Sequence, residues 1–188
     1  MRMQRKSFTK KTSQANRGME FEGYIMQANA RYAIRGIASI DKIATPVKVI
    51  KLAATGPKKG RIIDGYFEEK STVDFAGISR GRSIYFDAKE TENKTSFPLD
   101  NVGDHQYEAL RDKYLHGAIS FLLIRFKSHQ EIFILLFEDL DKWMKESVTG
   151  GRKSIPYQFF KENCEVCKAG RNVAIDYMAA LDKATMNV

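Results

Sequence analysis

Cysteine, tryptophan and histidine are scarce in this chain of 188 residues, which has two Cys, one Trp and three His. Two cysteines cannot build a disulfide framework. They sit together as Cys164-Glu-Val-Cys167, and no second pair completes a zinc site within the chain. Two reduced thiols are expected, with a half-site shared across a dimer as the lesser alternative. His105, His116 and His129 have no metal-ligand spacing. No apolar run approaches the roughly 18 residues of a membrane span. The charged N-terminus lacks the apolar stretch of a signal peptide, so a cytoplasmic protein without a membrane partner is expected. Acid is absent from Met1 to Arg17 and again from Lys42 to Ile63. No internal repeat is visible.

Base and apolar bulk are what is present. The formal charge is +8, and 43% of residues are hydrophobic, including 12 Phe and 8 Tyr. That is enough for one real core. The excess of base points to a polyanion, nucleic acid before an acidic membrane surface. Six bases, among them Arg17, stud the first 17 residues, which read as a basic arm able to lie along phosphates. Lys58, Lys59 and Arg61 surround Gly56-Pro57 and Gly60, the composition of a protruding tip that could probe nucleic acid.

Periodicity predicts a helix from Asn16 to about Arg35 with Phe21, Ile25, Ala28 and Tyr32 inward, ended by Gly36. Glu22 lies beside that stripe, at the edge of a cleft. Ile37 to Ile43 reads as a short strand or a loop, and Val47 to Leu52 as a strand. A helix is expected from Gly103 to His116, then buried strands at Ala118 to Phe126 and Ile132 to Phe137. Helices follow at Asp139 to Ser147, Pro156 to Lys161 and Ile175 to Lys183. Trp143 is assigned to core packing. The fold class is a mixed α/β domain.

Val73 to Lys89 is the centre of the chain. Two apolar-rich strands flank a turn carrying Arg80, Gly81 and Arg82, two arginines that could bind phosphate or merely be solvated. In the second strand Asp87 and Lys89 share a face, about 7 Å apart along the strand. Asp74 can reach the same spot if the strands pair. Two acids and a lysine suit phosphodiester hydrolysis: the acids hold a hard cation through oxygen and the lysine meets developing charge. An Asp-x-Lys triplet alone is equally compatible with a solvated strand face. The polar run Lys89 to Ser96 lies near this spot, which adds Lys94 to the candidate DNA contacts. Arg152 and Lys153, after the flexible Gly150-Gly151, are further candidates.

Further stretches stand out as motifs: Asn16-Arg17-Gly18-Met19 with Glu22 and Asn29, Thr45-Pro46-Val47, Ser71-Thr72 to Asp74 with Gly77, and Asp87-Ala88-Lys89-Glu90-Thr91. They continue through Asn93-Lys94-Thr95-Ser96-Phe97-Pro98-Leu99, Asp104-His105-Gln106, Gly151-Arg152-Lys153-Ser154-Ile155 and Ile175-Asp176-Tyr177. In these stretches the chain resembles the RecU-type Holliday-junction resolvases of Gram-positive bacteria and their phages. The run Lys89 to Leu99 is the most specific. The resemblance implies a restriction-endonuclease-like α/β fold, a mixed β-sheet core flanked by helices with a protruding basic stalk. It implies a homodimer with two sites dependent on Mg²⁺ or Mn²⁺, acting on branched DNA, with a recombinase as a candidate further partner. By position, Asp74 and Asp87 are the implied metal ligands, Lys89 the catalytic lysine and Glu22 the supporting acid. Gln106 falls where related nucleases place a polar residue near the site, and it joins the expected DNA contacts. Two departures stand out. Asp87 replaces the family's common Glu, and Val73 replaces a common Thr. Both bear on metal preference and rate.

The expected organisation is a flexible basic arm over residues 1–15 and one nuclease domain over 16–188, with a stalk insertion at about 52–66. The expected function is a structure-selective endonuclease that resolves four-way junctions by paired symmetric nicks. The alternatives are a nuclease for other branched DNA and a non-catalytic junction-binding recombination protein.

Overall fold

The computed structural model describes residues 19–44, 46–57, 59–67 and 73–186. The proposed arm with Arg17, the helix cap at Asn16, and Lys58 lie outside these residues. The chain runs α1 (Met19–Ile34), β1 (Ser39–Lys42), β2 (Val47–Leu52), β3 (Ile62–Phe67), β4 (Phe75–Ser79), β5 (Arg82–Thr91), β6 (Ser96–Pro98) and α2 (Asp104–Leu115). It continues through β7 (Ile119–Phe126), β8 (Glu131–Leu136), α3 (Phe137–Val148), β9 (Ser154–Pro156), α4 (Tyr157–Asn163), β10 (Glu165–Val166) and α5 (Tyr177–Met186).

A six-stranded sheet in the order β1-β4-β5-β7-β8-β10 forms the middle layer. Only the β5–β7 pair in it is parallel, and α2 makes the crossover. The strand β7 shows why two layers of helix are needed. Its sequence ISFLLIRF has almost no polar face, so it must be covered on both sides. Phe121 and Leu123 join one cluster, with Phe21, Ile25 and Tyr32 of α1 and Tyr177 and Leu181 of α5. Leu122, Ile124 and Phe126 join the other, with Leu110 of α2, Phe137 and Leu140 of α3, and Phe160 of α4. The result is the expected mixed sheet flanked by helices.

On the α1 side, Phe75, Phe86 and Phe121 stack across β4, β5 and β7 at centroid separations of 4.9 and 4.7 Å. This aromatic ladder fixes the register of the strands that carry the site. The β4–β5 turn is a two-residue hairpin with Arg80 at φ 49° and Gly81 at φ 78°. Both central residues are left-handed, as this tight turn requires. The edge strand β1 settles the open reading of Ile37 to Ile43. It approaches so closely that a Cβ on Gly77 would lie 2.1 Å from Ser39 O.

The hairpin β2–β3 stands apart as its own two-stranded sheet. The helix expected from Asn16 is described from Met19 and ends at Ile34, where Gly36 (φ 64°) turns the chain and Ile37 N–H caps Tyr32 O at 2.9 Å. Cys164 and Cys167 are free thiols, and burial pushes both up, away from the thiolate a metal would need. Trp143 is half-buried, edge-on to Phe159 at 5.5 Å.

Candidate active site

The site forms where β5 runs past the beginning of β4. Phe75 pairs with Phe86, so Asp74 falls opposite Asp87 one step further along. The alternation of β5 turns Phe86 toward α1 and turns Asp87 and Lys89 toward α2. Asp74 N–H donates to Asp87 Oδ1 at 2.7 Å, and Ala88 N–H donates to Asp74 Oδ2 at 3.1 Å. Each carboxylate is thus oriented by the other strand's backbone.

Asp87 is fully buried, and its Oδ2 has no hydrogen-bond partner among the described residues. Lys89 Nζ stands 3.5 Å from it, an ion pair beyond good hydrogen-bond range. Burial raises the Asp87 pKa and the Asp74 charge raises it further, against the pull of Lys89. A buried acid oxygen without a proton donor, beside a second acid, suits a hard cation bound through oxygen. Among the described residues no group of three or more His, Cys, Asp or Glu gathers, so the protein's own acids here are this pair.

Lys89 is fixed from its far side. It donates to Gln106 Oε1 at 2.6 Å, and that oxygen also accepts Gly103 N–H at 3.2 Å. Gln106 therefore spends its oxygen on the protein, and only its amide NH₂ is left for DNA. Nothing in the spacing from 89 to 106 could have signalled this contact, because the α2 crossover creates it.

Glu22 is not joined to these three. It forms an ion pair with Lys42 of β1, which faces α1 opposite Phe75. Glu90 also faces away from Asp87. It is bound by Arg125 at 3.2 Å and Lys127 at 3.3 Å, and Arg125 reaches Glu20 of α1 at 3.5 Å. Sequence reasoning missed this network, although the strand alternation that paired Asp87 with Lys89 also puts Glu90 on the other side.

The remaining candidates are spread out. Lys59 and Arg61 are exposed at the β2–β3 tip. Lys94 is exposed just past β5, and Arg152 and Lys153 are exposed beside β9, where Lys153 O accepts Leu99 N–H at 3.1 Å. Arg80 pairs with Asp182 of α5 at 3.4 Å, at the opposite end of β5 from Lys89.

Two facing acids and a positioned ammonium at the end of a mixed sheet are the groups that phosphodiester hydrolysis calls for. Comparison with known proteins agrees with that class. A family described as Recombination protein U matches residues 16–183, and the chain belongs to that family. It is 38% identical to the Holliday junction resolvase RecU of Pediococcus pentosaceus, over 97% of this chain and 96% of the relative. It is also 38% identical to the protein of that name from Geobacillus kaustophilus, over 89% of this chain and 84% of the other. A solved structure of Archaeoglobus fulgidus Hjc, a Holliday junction resolvase, overlays on 64% of this chain and 73% of its own, with a TM-score of 0.37 and 9% identity.

Proposed function

We propose that the protein is a Holliday junction resolvase, an endonuclease that nicks opposing strands of a four-way DNA junction. The observation that carries this is the reciprocal hold between Asp74 and Asp87 with Lys89 against them. Family membership supports it.

Asp74 and Asp87 would hold Mg²⁺ or Mn²⁺, since both offer oxygen alone and Asp87 Oδ2 is orphaned. When bound, the cation would polarise the phosphate and make water a better nucleophile. The ammonium of Lys89 has three N–H donors. One is taken by Gln106 and the Asp87 charge attracts another, which leaves donor capacity for the charge that develops on the phosphate. Glu22, paired with Lys42 on the α1 side, would be a supporting acid outside this cluster.

Lys59, Arg61, Lys94, Arg152 and Lys153 would meet phosphates, giving salt-sensitive affinity without base sequence. The protein would act as a homodimer, because a junction has a near two-fold axis and needs two nicks. The hairpin β2–β3 supports this reading. Ile50 is 62% exposed, Ile63 60% and Ile62 53%, and an isolated two-stranded hairpin is marginal in water. A second copy would cover them.

The test is cleavage of a synthetic four-way junction beside a linear duplex of the same sequence, with Mg²⁺ and with chelator. Paired symmetric nicks in the junction alone, abolished by chelator, are expected. Tight junction binding without nicks in Mg²⁺ or Mn²⁺ would favour a non-catalytic binder. Equal cutting of a flap would favour a nuclease for branched DNA in general.

A further inference from the structure

The loop that follows β5 is locked in an unusual way. It carries the polar half of the run Lys89 to Leu99. Three of its carbonyls, and that of Thr91 at the end of β5, are engaged. Thr91 O accepts Lys127 N–H at 3.0 Å, Glu92 O accepts the Ser128 hydroxyl at 2.9 Å, and Thr95 O accepts Tyr157 N–H at 2.8 Å. The fourth, Lys94 O, accepts the Nε2–H of His129 at 2.8 Å.

His129 is itself held. Its ring lies flat on Tyr157, with centroids 4.0 Å apart and planes 11° apart. The Tyr157 hydroxyl donates to Glu131, which also takes Lys161 Nζ at 3.0 Å. Within the loop, Asn93 N–H donates to Thr91 Oγ1 at 3.1 Å and Thr95 N–H to Asn93 Oδ1 at 3.3 Å. These contacts tie the loop to the β7–β8 turn and to the start of α4, with the Lys94 side chain exposed five residues past the lysine of the site.

An exposed lysine on a free loop gives up part of its phosphate-binding energy to ordering backbone and side chain. A lysine whose own carbonyl is clamped is spared the backbone part. We propose that His129 is a positioning residue that holds Lys94 where it meets a DNA phosphate beside the cleaved one. This rests on the reading of Asp74, Asp87 and Lys89 as the cleavage site. The β7–β8 turn, far from that site in sequence, becomes part of the substrate grip.

The test is a double-mutant cycle on the full chain, read as binding of a synthetic four-way junction in Ca²⁺ across a salt series. His129→Phe keeps a ring on Tyr157 and removes the donor to Lys94 O. Lys94→Ala should raise the junction Kd about three- to tenfold and lower the salt slope by about one. His129→Phe should raise Kd similarly in the parent and add nothing in the Lys94→Ala background. His129→Gln, which retains a donor, should recover part of the loss. In Mg²⁺ the loss should fall on KM rather than kcat. Equal losses from His129→Phe in both backgrounds, or an effect on kcat alone, would overturn the proposal. Because coupling is read in binding, failure of the parent to cut junctions would overturn the catalytic reading alone.

Discussion

Asp74 and Asp87 face each other across β4 and β5, and the backbone N–H of Asp74 donates to Asp87 Oδ1 at 2.7 Å. Two acids this close repel, and one of them is fully buried. The fold tolerates the arrangement because the strands' own amides solvate it, while Asp87 Oδ2 stays without a donor among the described residues.

Asp87→Asn should therefore separate activity from stability. Cleavage of a four-way junction should fall by at least about 100-fold. Junction binding should hold or strengthen, since a negative charge near phosphate is gone. The metal-free melting temperature should stay level or rise, because burial and the Asp74 charge outweigh the pull of Lys89 and disfavour a charge at this position. A variant that cuts at the parent's rate would sink the assignment of the site.

Gln106 acts on Lys89 and has no need of the substrate to do so. Gln106→Ala should lower kcat about tenfold, in the range of lost supporting contacts, with a much smaller change in junction Kd. Gln106→Glu retains the acceptor and should keep Lys89 in place. If Gln106→Ala weakened binding and spared kcat, the residue would be a DNA contact instead.

Asp176, just before α5, ties that end of the helix to α1 and to the loop that carries Arg171. It takes a bidentate pair from Arg171, at 2.6 and 2.5 Å, and the Tyr32 hydroxyl at 3.0 Å. Burial alone would raise its pKa, but the Arg171 and Tyr32 hydrogen bonds hold it below the ordinary carboxylate range. A depressed folded pKa gives stability that is present above the unfolded value of about 4 and lost as pH falls through the folded one. Asp176→Asn should cost about 2–4 kcal/mol at pH 7. The gap from the parent should narrow as pH falls below about 4 in urea titrations, and a gap constant with pH would refute the linkage.

Gly77 lies under β1, where a side chain has no room. Gly77→Val should cost about 3 kcal/mol or more by driving the edge strand off the sheet. Thermal melting reads this directly. A melting temperature equal to the parent's would mean that β1 shifts without cost.

The exposed isoleucines of β2–β3 make the proposed dimer testable. Ile50→Lys combined with Ile63→Lys should shift sedimentation from dimer toward monomer while the far-ultraviolet circular dichroism is retained. A dimer of unchanged strength would place the interface elsewhere.

Much of this site was legible in the chain because its causes are local. Strand alternation has a period of two, so Asp87 and Lys89 had to share a face whatever packed on them. The all-apolar Ile119 to Phe126 had to be covered on both sides. The tight turn at Arg80 and Gly81 had to bring Asp74 back to Asp87. The family resemblance put Gln106 near the site, but the partners in contacts made across long separations were not legible. The bond of Gln106 to Lys89, the pairing of Glu22 with Lys42, and the grip of His129 on Lys94 join residues 17, 20 and 35 positions apart. Each depends on how a helix or turn docks on the sheet. Residue type alone cannot select a partner at that range, because loop closure rises only slowly with length and leaves many partners in reach. The sequence by itself determined the acids, the lysine and the face they share. Only the packing of α2 decided what holds Lys89 still, and only that of the β7–β8 turn what holds Lys94.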